Sequence, residues 1–442
     1  MSILISTVAD VRPFAGLRYS PDVVGSLSDV LCPPFDIIPE ELQRELHRRT
    51  PYNAVRLERG MALEEDSGGS SIYTRAAEAF ASWQWEGVLA KEPGPSLYLH
   101  RHRFSDGRGR TMERWGIGAR VRLEELDRGI VLPHEETRSA DKADRLALME
   151  ASRANFSPVM VLYRQGPERR IAAAIQDVAK RPPVFDGAYE RDQHLTLWVA
   201  DGPDLIDAVR DELRDAPLFI ADGHHRYETA LTYRDRLRDQ AGSWSGEEAC
   251  NYVMMALIDF ADPGLLVQSY HRMVGGLALS TLATLRSRLL EVFRATPFPE
   301  PPASAEALES AVARHSETTP VLGLLGPGDE APLMLSLPAE EGVGGAASAA
   351  EALRRFEGHA LHQEVLNRVL GSEAERHISY THDPREAWER VSGGEQQLAF
   401  FLRPMPMDLF ETLVSAGVRL PPKSTYFYPK IPTGLVFHLL EE

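Results

Sequence analysis

The apolar residues of this chain follow two periods that alternate irregularly. Positions 72–89 carry apolar residues at helical spacing and predict an amphipathic helix, closed by the Pro-Gly turn at 92–95. Shorter helices are expected over 40–49, 142–153, 169–180 and 203–214. Residues 96–104 and 115–123 read as an antiparallel pair of strands across the turn 105–110. Continuous apolar runs at 157–163, 195–199 and 217–221 have the length and composition of buried strands. In the second half, strands are expected at 252–260, 265–268, 398–402 and 434–440. Helices are expected at 279–293 and up to residue 370, after a Pro-rich stretch at 296–304 and a low-complexity loop at 342–350. No repeat of fixed period occurs, and no clean βαβ rhythm emerges. The fold class expected is therefore α+β (mixed α/β). We read three segments: 1–110 as an N-terminal α+β segment, 111–275 as a core with an insertion, and 276–442 as a C-terminal α+β domain.

Composition narrows the possible partners. The 442 residues include 48 basic and 65 acidic side chains, a net charge of −17, with 43% hydrophobic residues. Such ratios belong to a globular chain with enough length for a substantial core. Basic residues are dispersed among Asp and Glu, which argues against a nucleic-acid footprint. Neither Cys32 nor Cys250 stands in a CxxC pattern, so a disulfide framework and a thiolate zinc site are not expected. The longest apolar runs fall far short of the ~18 residues of a membrane span, and no secretory pattern opens the chain. The expectation is a cytoplasmic protein that acts on a small molecule, with neither nucleic acid nor membrane as partner; its oligomeric state stays open.

The sharpest local signal is Asp222-Gly223-His224-His225-Arg226. An apolar strand ends in Asp-Gly and a helix begins, with Tyr227, Ala230, Leu231 and Leu237 on one face. The first N–H groups of a helix have no partner inside it and the dipole is positive there, so an anion is attracted to that end. Gly223 lets the anion approach the backbone, His224 and His225 add donors, and Arg226 can grip phosphate oxygens in pairs. Asp222 can cap the helix or hold Mg²⁺ through water. The plain structural alternative is an Asp-capped helix whose two histidines are solvated or packed.

This stretch resembles the DGHHR signature of the ParB/sulfiredoxin superfamily, nearest the spelling found in free serine kinases. The resemblance implies a ParB/sulfiredoxin-like nucleotide-binding core with additional N- and C-terminal α+β segments, using ATP, ADP or another nucleotide with Mg. Over almost its whole length, from ADVRPF through LCPPFD, PHEET, ADGHHRY and PPKSTYFYPK, the chain also resembles a bacterial family known as domain of unknown function 1015, which brings no established activity. In the kinases an acidic residue in a Pro-containing loop upstream of DGHHR acts as base toward the substrate hydroxyl. Of the residues in Pro133-His134-Glu135-Glu136-Thr137, Glu135 matches that position best, and His134 is then a substrate-side neighbour. The 87 residues between Glu135 and Asp222 exceed the compact kinase spacing, and a polar loop opening the next helix explains PHEET equally well. The resemblance also makes the Cys32-Pro33-Pro34-Phe35-Asp36 turn a site-lining loop, although a rigid structural turn would read the same.

Of the 48 basic residues only five are lysines: Lys91, Lys142, Lys180, Lys423 and Lys430. A nine-residue window should hold ~0.1 of a lysine, yet 422–430 holds two. Where Arg is written almost everywhere, a retained Lys points to a compact point charge. An odd separation in a strand puts the two on opposite faces, so at most one enters a shared site. We take Lys423, with Ser424 and Thr425, as the group that binds an anionic substrate or a transferring phosphate; an aromatic edge strand guarded by lysines is the structural alternative. His359 and His362 near Glu364 could form a metal pair but also fit an exposed helix face, and His271-Arg272 receive no role. No Walker A, HExxH or GxSxG motif is present.

The leading expectation is a nucleotide- and Mg-dependent phosphotransferase acting on a small hydroxylated metabolite such as a serine-like amino acid. In it Gly223, His224, His225 and Arg226 hold the nucleotide, and Glu135, Asp222, His225 and Arg226 serve the transfer. His134, Lys423, Ser424 and Thr425 meet the substrate, and Asp222 meets the metal. Two other classes stay open: a nucleotide-binding or nucleotide-hydrolysing regulatory module, and a metabolite-binding protein or hydrolase that recognises a carboxylate.

Overall fold

Apolar side chains at every second position of the strands build the larger sheet of the protein. A computed structural model describes residues 9–441 apart from 65, 67–70, 108, 191, 299, 316–319, 327–330, 339–347 and 372–373. These residues separate into two compact units, one formed by Met1–Pro133, Thr137–Leu266 and Pro429–Glu442, the other by His134–Glu136 and Val267–Tyr428. Residues 9–133 and 137–266 thus fall in the first unit, and residues 429–441 return to it.

In the first unit nine strands form one mixed sheet: β1 (Val11–Arg12), β2 (Leu97–Ser105), β3 (Thr111–Arg122), β4 (Val131–Leu132), β5 (Val159–Tyr163), β6 (Phe185–Ala188), β7 (Gln193–Ala200), β8 (Leu218–Asp222) and β9 (Tyr252–Asp259). Their order is β4-β8-β5-β9-β3-β2-β7-β6, with β1 beside β3. The β4–β8 and β5–β9 pairs are parallel and the others antiparallel, which is why no βαβ rhythm shows in the sequence. The helices are α1 (Glu40–Arg49), α2 (Ile72–Trp85), α3 (Ser139–Ser152), α4 (Arg170–Val178), α5 (Pro203–Leu213) and α6 (His224–Gln240). Helix α3 packs between α2 and α6. Ile171, Ile175, Leu205, Val209, Tyr227 and Ala230 from α4, α5 and α6 share one core with Val159, Val161, Ile220 and Leu257 of the sheet.

The structure differs from the sequence reading at the end of α2. That helix stops at Trp85, and Leu89 opens a strand, Leu89–Lys91, paired with Leu17–Tyr19. The break falls at Gly87, whose φ of 74° the helix cannot accommodate. Of the expected 434–440 strand, His438–Leu439 pairs with Ala154–Asn155 and Phe437 forms an isolated bridge with Leu17.

In the second unit six strands form a wholly antiparallel sheet. They are β10 (His271–Val274), β11 (Arg294–Pro297), β12 (Val321–Leu325), β13 (Leu333–Ser336), β14 (Ile378–Thr381) and β15 (Leu398–Phe401), in the order β11-β13-β12-β15-β10-β14. Helix α7 (Leu279–Val292) and the helical turn Leu361–Leu370 cover one face through Leu285, Leu289, Leu361 and Val365. Helices α8 (Ala305–His315) and α9 (Pro384–Ser392) cover the other through Leu308, Val312, Ala387 and Val391. The expected low-complexity loop lies outside the described residues for positions 342–347. The protein is thus mixed α+β in both units, and among the described residues no helix is long and apolar enough to cross a membrane.

Candidate functional site

The strand, turn and helix expected around Asp222 form as read, and their geometry explains the residues. Strand β8 is fully apolar until its register against β5 slips between Ile220 and Asp222. A bulge of this kind bends a strand and re-aims the side chain beside it. Gly223 follows at φ 94°, in the left-handed region, and its missing Cβ is replaced by the Arg226 guanidinium, 3.0 Å from where a Cβ would stand. The first intrahelical bond of α6 runs from Tyr227 N–H to the Gly223 carbonyl (3.0 Å), which sets the helix N-terminus at the Gly223 turn. Tyr227, Ala230 and Leu231 are buried as expected.

The charged side chains here form a chain of alternating sign. Lys430 Nζ donates to Asp222 Oδ1 (2.6 Å) and to Asp36 Oδ2, while Asp222 Oδ2 accepts from Arg226, which also donates to the Pro158 carbonyl. The Lys430 side chain is only 5% exposed, against 27% for Asp36. Burial alone would raise the Asp222 pKa, but the Lys430 ammonium and then the Arg226 guanidinium overcome it and hold the carboxyl well below the usual range. Arg226 is therefore committed to protein acceptors. Both Asp222 oxygens are likewise taken by cations, so this carboxylate as placed does not suit Mg²⁺. Among the described residues no group of three His, Cys, Asp or Glu could hold a metal ion, His359 and His362 included.

His225 is held by its partners in one protonation state. Its Nε2 accepts the Arg138 N–H (2.9 Å), which makes it an unprotonated acceptor and leaves the ring proton on Nδ1. Burial pushes its pKa down, while Asp141, whose carboxylate lies 3.4 Å from Nε2, opposes that shift. Glu228, one turn further along α6, accepts from Thr137 Oγ1 (2.6 Å) and Lys142 Nζ (2.9 Å) and so ties α3 and its entry loop to α6.

The loop carrying Asp36 is fixed from behind. Buried Glu58 accepts the Phe35 N–H (3.3 Å) and the Ser157 hydroxyl (3.0 Å), and the Arg145 guanidinium lies 4.1 Å from the centre of the Phe35 ring. These contacts give Asp144-Arg145 and Ser157-Pro158 their positioning work. A cavity of about 370 Å³ opens on the same wall, lined among others by Phe35, Arg59, Tyr73, Asp141 and Arg145.

The structure distributes the expected site residues between the two units. Asp222, Gly223, His224, His225 and Arg226 lie in the first; His134, Glu135, Lys423, Ser424 and Thr425 lie in the second and come together there. Glu135 Oε1 accepts the Ser424 N–H (3.1 Å), and buried His134 shares a hydrogen bond with Thr425 Oγ1 (2.8 Å). Lys430 was missed as a site residue, and Asp36 was read only as part of a turn that the resemblance makes site-lining. The lysine excess at 422–430 pointed to the right window, but only Tyr426–Tyr428 is a strand, and Lys423 sits in a turn at φ 61°. The parity argument for choosing between the lysines had no continuous strand to act on.

Comparison with solved structures returns distant likenesses. Variants of free serine kinase in complex with AMP and with ADP each share 15% identity at a TM-score of 0.35, over 72% of this chain and 92% of theirs. A conserved hypothetical protein from Pyrococcus furiosus shares 13% at 0.35, over 72% and 93%, and C-terminally truncated SbnI from Staphylococcus aureus shares 13% at 0.36, over 72% and 86%. Scores this low carry no argument about activity. No curated protein matches. A family model does match, over residues 11–349, and the chain accordingly belongs to the family described as protein of unknown function (DUF1015).

Proposed function

We propose that the protein is a nucleotide-dependent phosphotransferase acting on a small hydroxylated metabolite, with the nucleotide phosphates bound at the N-terminal turn of α6. The observation that carries this reading is the chain Asp36–Lys430–Asp222–Arg226 at that turn. Lys430 is held by Asp222 and by Asp36, which are 20% and 27% exposed, and an incoming phosphate oxygen would take the place of the more exposed Asp36. The N-terminal end of the α6 dipole favours the same anion. The neutral His225 adds an Nδ1–H donor without adding charge.

In the transfer, the acceptor oxygen forms a bond to phosphorus as the bond to the nucleotide oxygen breaks, and the hydroxyl proton leaves to a carboxylate. One observation favours a second reading, nucleotide binding without transfer: Glu135, which the resemblance of PHEET to the kinase loop makes the base, belongs to the second unit and serves it by accepting the Ser424 N–H.

Phosphorus NMR decides between them. Full-length protein with Mg²⁺, ATP or ADP and pooled hydroxy amino acids should yield a new phosphomonoester signal, and Lys430→Met should abolish nucleotide binding. Undiminished binding in Lys430→Met overturns the site. Tight binding with no phosphomonoester under any pairing establishes the second reading.

A further inference from the structure

We propose that the second unit carries a carboxylate-binding subsite formed by Arg272 and Lys423, independent of the nucleotide reading above. Two cations meet there with little to neutralise them. Arg272, at the start of β10, is 4% exposed, and its guanidinium donates only to main-chain acceptors: Nη1 to the Tyr270 carbonyl (2.5 Å) and Nη2 to the Lys423 carbonyl (3.0 Å). Lys423 Nζ lies 3.5 Å from the Tyr270 hydroxyl and 5.1 Å from the centre of its ring. Among the described residues, neither cation forms an ion pair with a carboxylate. Three other buried arginines do, Arg145 with Asp144, Arg226 with Asp222 and Arg234 with Asp235, whereas fully buried Arg114 donates to the Pro429 carbonyl.

A buried guanidinium without a carboxylate is costly, because carbonyl dipoles replace only part of its lost hydration. Burial pushes the Arg272 pKa down to about 10, consistent with that cost; Tyr380 and Glu135 oppose the shift. Lys423 adds a second unfavourable feature, since its φ of 61° is a conformation that few non-glycine residues adopt. The turn Pro421–Ser424 is stapled in that shape by the Ser424 hydroxyl on the Pro421 carbonyl (2.5 Å) and the Ser424 N–H on Glu135. A strained turn that holds a lysine beside a buried arginine is arranged to receive an anion.

The local charge selects its class. Arg272 feels the carboxylate of Glu135, and among the described residues no carboxylate pairs with Lys423, which leaves one positive charge to be met. A carboxylate meets it, whereas a phosphate dianion would leave an excess in a partly buried site. The ring of Tyr270, edge-on to Tyr426, which stacks on His382 at 4.2 Å, supplies an apolar wall for the rest of a small acid.

The scarcity of lysine makes the test direct. Protein labelled at the lysine side chain gives five signals, with those of Lys423 and Lys430 identified by single Lys→Arg variants. Acetate should shift the Lys423 signal saturably and leave Lys430 unmoved, with inorganic phosphate acting more weakly. Lys423→Gln, a half-buried position that breaks no ion pair, should weaken acetate binding measured by calorimetry about tenfold. Arg272→Lys, which keeps the charge, should weaken the Lys423 response as well. An unmoved Lys423 signal, unchanged calorimetry in Lys423→Gln, or a stronger response to phosphate than to acetate each overturns the proposal. A response at Lys430 with nucleotide bears on the first unit alone, so the two readings fail separately.

Discussion

The same short stretch of chain supplies a lysine to each of two charged clusters, and the clusters are built on opposite principles. Lys430, in the first unit, is buried between two carboxylates, and one of those carboxylates also holds Arg226. Lys423, in the second, stands by a phenol, and its neighbour Arg272 donates to carbonyls. The first cluster is electrically balanced and rigid, as machinery that must hold a geometry has to be. The second keeps positive charge unmet, which makes sense only where a ligand completes it. Charge alone therefore does not say how a site takes an anion: at the balanced cluster a ligand must displace Asp36 from Lys430, whereas at the second it meets charge that no carboxylate pairs.

The difference is largest in stability. Asp222→Asn leaves Lys430 and Arg226 buried against a neutral amide, and should cost about 3–5 kcal/mol, read as a fall in the urea midpoint. Lys423→Met removes no ion pair and should stay within about 0.5 kcal/mol. Equal costs would end the distinction between balanced and unmet clusters.

Acid sharpens the contrast next. Burial, with help from Arg114 and Arg120 respectively, pushes His100 on β2 and His438 down to about 3 from the ordinary 6.5, both in the first unit. As pH falls, the unfolded chain takes up these protons first. The stabilisation from each imidazole is thus complete above about 6.5 and is lost progressively below it. Between about pH 7.5 and pH 5 each should cost about 2 kcal/mol, and His100→Leu should flatten the melting profile by that share. An unchanged acid slope in His100→Leu would show that His100 is not held neutral by its burial.

Much of the first cluster was legible because its parts are local. An apolar strand, Asp-Gly and a helix with Tyr227, Ala230 and Leu231 on one face follow from period and turn chemistry within twenty residues. The mixed α+β class was legible for the same reason. The meeting of Lys430 with Asp222 and Asp36 was not, because Lys430 reaches Asp222 across 208 residues of chain and Asp36 across 394, and no local pattern encodes those pairings. Arg272 was passed over because a buried cation without a carboxylate leaves no trace in sequence. Strands β12 and β13 went unread, since short apolar runs between helices do not declare their partners.

Two smaller predictions concern the second unit. Thr425→Val removes the hydrogen bond to buried His134 and should cost about 1–2 kcal/mol, seen as a lowered urea midpoint; no loss would mean that His134 finds another partner.

The last is a gain. At φ 61° a lysine is disfavoured relative to glycine, which reaches that region freely. Lys423→Gly should therefore raise stability by about 0.5–1 kcal/mol after allowance for the more flexible unfolded chain, while abolishing the acetate response. A residue whose removal strengthens the fold and empties the site is kept for what it binds. If Lys423→Gly instead destabilises the protein and acetate still binds, the turn is structural and the contrast between the two lysines disappears.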